Sequence, residues 1–431
     1  MGNSFPNNWD FFPLEQCMEL IIDYRGKTPR KTEFGVPLIT AKVVKNGRIE
    51  TDGKQEYIGF NEFDSWMRRG LPKSGDVVIT TEAPLGEVAQ LGNRRVALAQ
   101  RLITLRGKKN FLDNTFLKYL LQSAFFQNQL KSRATGTTVI GIKQSELRKI
   151  LLPIPPYKEQ ERIGNILGSL DGKIEINHLI NQTLENILWA IFKSWFVNFE
   201  PVRARLEGRD TGLPAEIADM FPESFYDSPV GEIPSGWDIL NFSDAFQINP
   251  FRYLKKGQEA TYLDMQNMPT SGHRPVGWTS RSFSSGTRFI NGDTLMARIT
   301  PCLENGKTAF VDFLKDDEVG WGSTEYIVIR SKPPIPKEYS YFLARDDSFR
   351  AFAIRNMSGT SGRQRVQVSS FQNLKVIVAP KPILEIFGSL AHEYIFLIKK
   401  NSEESSTITQ LRDLLLPKLL NGEIVTDTIQ V

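Results

Sequence analysis

A chain of 431 residues, 40% hydrophobic, 11% aromatic and 24% charged, has ordinary globular composition and the length for two to three folded units, which excludes fibrous and disordered classes. Its formal charge of +4 lends a nucleic-acid partner only weak support, and Cys17 and Cys302, far apart and without the paired spacing of a zinc site, imply no disulfide or metal framework and are expected as buried small hydrophobes. Met1 to Asp10 is polar where a signal peptide would be apolar, and no run approaches the roughly 20 apolar residues of a membrane span, so a cytoplasmic protein is expected.

In chain order, the predicted elements fall into two similar halves. The first opens with Pro6-Asn7-Asn8-Trp9-Asp10 and continues through a strand at Val77 to Thr81 after Gly75-Asp76, a strand at Leu102 to Leu105 and a helical pattern at Thr115 to Gln129. It ends in Leu147-Arg148-Lys149-Ile150-Leu151-Leu152-Pro153-Ile154-Pro155, where a long helix begins. After a linker with Leu213-Pro214 and Phe221-Pro222, Pro234-Ser235-Gly236-Trp237-Asp238 repeats the opening at an offset of 228, which is 237 minus 9. Gly292-Asp293 repeats Gly75-Asp76, a strand is predicted at Tyr326 to Arg330, Gly359-Thr360 repeats Gly136-Thr137, and Leu374 to Pro382 repeats Leu147 to Pro155 at 227. A second long helix follows, its Gly388-Ser389-Leu390 matching Gly168-Ser169-Leu170 at 220. The seven-residue drop is one heptad, which a coiled coil loses without rotating its seam.

The organisation read from this repeat is a first domain at 1–155, a helix at 156–200, a linker at 201–233, a second domain at 234–380 and a helix at 381–425. That is an α+β protein: two α/β domains joined and separated by two long antiparallel coiled-coil helices, with an internal pseudo-twofold repeat. In the first helix Ile163, Leu167, Leu170, Ile174, Leu184, Leu188, Ile191 and Trp195 recur at steps of three and four, and Asn177 and Asn181 fall on the same stripe as a polar layer that fixes register. The second helix carries Phe387, Leu390, Tyr394, Leu397, Asn401, Ile408, Leu411 and Leu415, with Asn401 the counterpart of Asn181 at 220. Each stripe could pack on its own domain, but the shared polar layer makes helix-on-helix packing the more economical reading. Phe192, Trp195, Phe196 and Phe199 form a dense aromatic cluster read as core rather than interface.

No catalytic site emerges. Gly26-Lys27-Thr28 has the tail of a phosphate-binding loop, but Ile21 stands where the first glycine belongs, and Gly47 to Lys54 fails the same spacing with Gln55 after it. Asn249-Pro250-Phe251 has part of an adenine methyltransferase motif without its second proline or a glycine-rich cofactor loop. His178, His273 and His392 lack ligand-spaced carboxylates or cysteines, so surface or packing roles and no metal are expected.

The junction Pro153-Ile154-Pro155-Pro156-Tyr157-Lys158-Glu159-Gln160-Glu161-Arg162-Ile163, the segment Phe192 to Phe199 with Pro201-Val202-Arg203, and Leu411 to Ile424 resemble the conserved helical regions of the DNA-specificity subunits of type I restriction-modification systems. Asp23-Tyr24-Arg25-Gly26-Lys27-Thr28-Pro29 and Thr300 to Lys307 resemble motifs in subsets of that family's target recognition domains. The resemblance covers nearly the whole chain. It implies a non-catalytic subunit with two target recognition domains, each reading half of a split, asymmetric double-stranded DNA sequence. It also implies two methyltransferase (M) subunits that modify adenines with S-adenosylmethionine, and restriction (R) subunits that use ATP and Mg, leaving no cofactor in this chain. A helix of about 33 residues is about 50 Å long, enough to set the gap between half-sites about 34 Å apart. The second helix departs from the family in Lys381-Pro382-Ile383-Leu384-Glu385-Ile386, which lacks the Glu-Gln pair of the first. A methyltransferase-nuclease fused to its catalytic half elsewhere, and a protein adaptor that uses its coiled coil without DNA, are the competing readings.

DNA reading needs cations for phosphates and side chains able to pair with base edges. The first domain offers Arg25, Lys27, Arg30, Lys31 and Lys42, then Thr81, Gln100, Arg101, Thr137 and Thr138; the second offers Arg252, Tyr253, Lys255, Lys256, Arg298, Thr300, Arg363, Gln364 and Arg365. Gln100 and Gln364 suit adenine and Arg363 or Arg365 guanine.

Overall fold

Each half of the repeat closes by pairing its first strand with its last. The computed structural model describes residues 5–424 apart from 25–27, 51–54 and 361, and these divide into one unit of Met1–Ile176 with Glu404–Val431 and another of Asn177–Glu403. The main elements of the first half are β1 (Asp10–Pro13), β2 (Met18–Asp23), β3 (Lys31–Thr32), β4 (Val36–Ile39), β5 (Glu56–Ile58), β6 (Val77–Thr81), β7 (Leu85–Gln90), β8 (Ala97–Leu98), β9 (Leu102–Gly107), α1 (Asn114–Gln122), α2 (Ala124–Arg133) and β10 (Leu151–Ile154), before α3 (Tyr157–Phe192). Those of the second are β11 (Asp238–Asn241), β12 (Phe246–Ile248), β13 (Glu259–Leu263), β14 (Thr279–Ser282), β15 (Thr287–Phe289), β16 (Thr294–Ala297), β17 (Thr308–Phe310), β18 (Gly320–Gly322), β19 (Tyr326–Ser331), α4 (Tyr339–Arg345), α5 (Asp347–Arg355), β20 (Lys375–Val378) and α6 (Lys381–Leu420). Asp10 pairs with Ile154 and Asp238 with Val378, so the motifs that open and end each repeat are partners in space, beside buried Trp9 and Trp237.

Both units stack a helix, a sheet and a second sheet. The antiparallel sheet β2-β9-β6-β7 is central in the first unit, as β12-β19-β16-β17 is in the second, and β8-β4-β5-β3 and β14-β13-β18-β15 are the second sheets. Central strands are apolar throughout because both faces are covered, and side chains alternate between two cores. Val77 and Ile79 face the core that holds Phe116 and Leu120 of α1, while Val78 joins Val36 and Leu38 of β4. In the second unit Met296, Ile327 and Ile329 face one core, and Leu295, Tyr326 and Val328 the other. The paired Gly-Asp motifs are structural. Gly75 and Gly292 take φ of +86° and +85°, and the buried Asp76 and Asp293 each accept a backbone N–H three residues back while holding Arg106 at 2.7 Å and Arg330 at 2.6 Å.

The predicted helix over Thr115 to Gln129 is two helices. Ser123 ends α1 and caps α2, its hydroxyl accepting from Phe126 N. The stretch 201–233 is no free linker: it carries a helix at Glu200–Leu206 and a hairpin of Phe225–Ser228 with Gly231–Pro234, and Val202 and Phe221 are buried in the second unit's core. Phe192, Trp195, Phe196 and Phe199 lie in that same core against Trp237 and Phe387, as read from the sequence. Cys17 is buried, whereas Cys302 is only half-buried.

The helical seam follows the sequence on α3 and slips on α6. Ile163, Leu167, Ile174, Asn177 and Leu188 are buried, with Leu170, Asn181 and Leu184 half-buried. On α6 Phe387 is buried and Leu390 half-buried, but Leu397 and Leu411 are 47% and 45% exposed, and Ala391, Ile398 and Arg412 take the inner positions instead. An apolar neighbour of Leu397 and a charged neighbour of Leu411 hid the true phase. Arg412 belongs there because Asp171 accepts from it at 2.8 Å, in a first-unit cluster with Lys118 and Tyr119. In the second unit the related pair bonds to each other, Asn401 Nδ2 donating to Asn181 Oδ1 at 2.9 Å, and Asn181 donating to Ser402 Oγ at 3.2 Å.

His273 packs in the same unit, fully enclosed. Its ring lies 3.2 Å from Asp312 and 3.6 Å from Glu185 of α3, and Tyr341 of α4 donates to Glu185. Burial alone would lower the imidazole pKa, but the two carboxylates outweigh it and raise it to about 9.

Candidate nucleic-acid interface

Antiparallel pairing puts the end of one strand beside the start of the next, so residues far apart in sequence meet at one sheet end. In the first unit Leu102 pairs with Thr80 and Ile103 with Asp23, which aligns the end of β2, the end of β6 and the start of β9. The loop after α2 joins them: Thr81 N donates to Arg101 O at 2.9 Å, Ile142 N to Thr81 O at 3.0 Å, and Gly141 bridges both Glu82 and Thr135. Gly136 takes φ +124°, and a Cβ there would meet Val139 O at 2.1 Å, so the turn that presents Thr137 and Thr138 requires glycine. Arg101, Thr137 and Thr138 are exposed and Gln100 is half-buried. Arg101 Nε lies 2.8 Å from Glu82.

The second unit builds the same corner with other side chains. Ala297 pairs with Tyr326, Arg298 N donates to Glu325 O at 3.0 Å, Val366 N to Arg298 O at 2.9 Å, and Thr300 N to Gln364 O at 3.1 Å. Arg365 grips Glu325 with Nε 2.9 Å from both carboxylate oxygens and Nη2 2.7 Å from Oε1. This carboxylate raises the Arg365 pKa further. Glu325 stands where Arg101 stands in the first unit, at an offset of 224. Each corner thus holds one arginine–glutamate pair, with the cation on the sheet in one and on the loop in the other.

Several sequence-selected residues have other positions. Thr81 is 2% exposed and acts through its backbone. The Arg298 guanidinium donates to Val366 O at 2.7 Å, which makes it a brace for the corner. Lys31, on β3 of the second sheet, pairs with Glu56 of β5 at 2.7 Å, Arg30 lies 4.0 Å from Glu62, and Lys42 is exposed in a 3₁₀ turn. Arg25 and Lys27 lie outside the described residues. Tyr253, Lys255 and Lys256 are exposed on the β12–β13 loop, and Arg252 turns inward to Asp293. Arg363 is exposed and Gln364 half-buried. Glu325 was missed because no local motif marks it, and its equivalence to Arg101 follows only from the strand alignment. Among the described residues no cluster of His, Cys, Asp and Glu could hold a metal, and no helix is long and apolar enough to cross a membrane.

Residues 6–186 match the family described as the type I restriction modification DNA specificity domain. Relatives extend the likeness along the chain: 24% identity over 439 residues to the MjaIX specificity subunit of Methanocaldococcus jannaschii, covering 97% of this chain and 94% of that one. Along nearly its whole length the chain is similar to type I restriction enzyme specificity subunits. The HindI specificity subunit of Haemophilus influenzae is 27% identical over 382 residues, covering 76% of this chain and 81% of its own length. In fold, the chain is similar to the S subunit of the type I restriction-modification system from M. genitalium, with a TM-score of 0.55, 16% identity and 97% coverage of both chains.

Proposed function

We propose that this chain is a type I restriction-modification specificity subunit that reads a bipartite, asymmetric double-stranded DNA site, one unit per half-site, and scaffolds two M subunits and R subunits without catalysis of its own. The observation that carries the reading is the repeated corner, where one sheet end in each unit gathers charged and polar side chains from three separate segments. The two corners differ in which segment bears the arginine, and two unlike readers suit two unlike half-sites. Leu179, Ile180 and Ile187 on α3, with Phe396, Leu411 and Leu414 on α6, are exposed apolar side chains that suit contact with partner subunits. S-adenosylmethionine, ATP and Mg belong to those partners, and the complex works in the cytoplasm.

Selection of random-sequence duplexes by the full-length chain with its M subunits tests this. It should return two short fixed sequences separated by a constant gap. Arg101→Ala should relax one half and Arg365→Ala the other, each losing about 1–3 kcal/mol of base discrimination. A continuous site, or variants that relax neither half, overturns the reading.

A further inference from the structure

The loop between β12 and β13 holds two aromatic rings in solvent by burying the residues between and around them. Asn249, left-handed at φ +48°, accepts from Val328 N at 2.9 Å and fixes the start. Arg252 turns inward, its Nη2 3.5 Å from the buried Asp293, which Arg330 also holds. Leu254 is 6% exposed and anchors the end. This in-and-out alternation leaves Phe251 79% and Tyr253 71% exposed. The ring of Phe251 is backed by the Arg288 guanidinium, 5.6 Å from its centroid and equally far from that of buried Phe283. Exposed Lys255 and Lys256 follow at once.

Large rings presented on a braced loop, with cations beside them, match the chemistry of a nucleic acid, which offers base faces to the rings and phosphates to the lysines. We propose that Phe251 and Tyr253 form a stacking wedge that opens a base step of the bound duplex while Lys255 and Lys256 hold the neighbouring phosphates. This rests on the DNA-reading function proposed above and adds to it a distortion of the DNA. The two contributions separate by salt, because each lysine displaces counterions and the rings displace none.

The test uses the full-length chain and a duplex selected by the wild type from a random library, with 2-aminopurine placed at successive positions. Wild type should raise the fluorescence at one base step. Phe251→Ala and Tyr253→Ala should each weaken binding about tenfold and lose that signal, with the slope of log Kd against log salt unchanged. Phe251→Tyr should keep both affinity and signal, and Lys255→Ala should reduce the slope by about 0.9. Both rings are exposed, so the thermal midpoint should not move in the alanine variants. If those variants bind the selected duplex as wild type does, the wedge is wrong and the rings serve a protein partner. If wild type selects no duplex, the DNA-reading function itself falls along with the wedge.

Discussion

Raising the pH above neutrality should loosen the second unit through one side chain. His273 is enclosed between Asp312 and Glu185, with Arg274 3.7 Å from Asp312 and Tyr341 on the far side of Glu185. A pKa raised from 6.5 to about 9 in the fold means that the cation is bound more tightly in the native chain than in the unfolded one. Its stabilisation is complete below pH 6.5 and is lost as the pH climbs through 9. At about 1.36 kcal/mol per pH unit that rise is worth roughly 3 kcal/mol. Glu185 works in the opposite sense: burial would raise its pKa, but His273 and Tyr341 outweigh burial and hold it below the usual carboxylate range. Its contribution is present above that range and lost in acid, so the pair supports the unit best in weakly acidic solution. Urea unfolding of the full chain, followed by tryptophan emission at pH 6.5, 8 and 9.5, should show wild type losing about 3 kcal/mol more than His273→Gln over that window. Parallel pH dependence in both proteins would refute the argument.

Two further outcomes are expected. Asn401→Leu removes the donor to Asn181 Oδ1 and should cost about 1–3 kcal/mol, whereas the double variant Asn181→Leu/Asn401→Leu should cost less than the two single changes added together; additive thermal midpoints would show the pair to be uncoupled. Leu414→Glu, at a residue 65% exposed, should leave stability within about 0.5 kcal/mol of wild type and abolish co-purification with the M subunit. Retained co-purification would remove this face from the partner surface.

Much of the scaffold was legible because periodicity and repetition survive as patterns along the chain. The matched openings at Trp9 and Trp237 and the endings at Leu147 to Pro155 and Leu374 to Pro382 became paired strands, although the register sets Ile154 and Val378 as counterparts, an offset of 224 rather than the 227 read from the sequence, and the stripe on α3 became a seam. Where pattern failed, the cause was local. Ile398 adjoins Leu397 and is as apolar, so type could not choose between them, and Arg412 beside Leu411 is too polar to register as seam; Leu397 and Leu411 face solvent. The interface was less legible. Its residues were chosen by type, and type does not separate Arg298, spent on a backbone carbonyl, from Arg101, presented at the surface.

The sequence by itself carried the internal repeat and the likeness to type I specificity subunits, since these depend on spacing and on motifs that neighbours in the chain supply. Only the tertiary structure decided which candidates share a site. Thr81, Arg101 and Gly141 meet because β6 and β9 run antiparallel and a loop closes on their end, and Glu325 meets Arg365 across 40 residues for the same reason. The partner of each charge is a property of strand register, which no stretch of sequence around Arg101 or Arg365 contains.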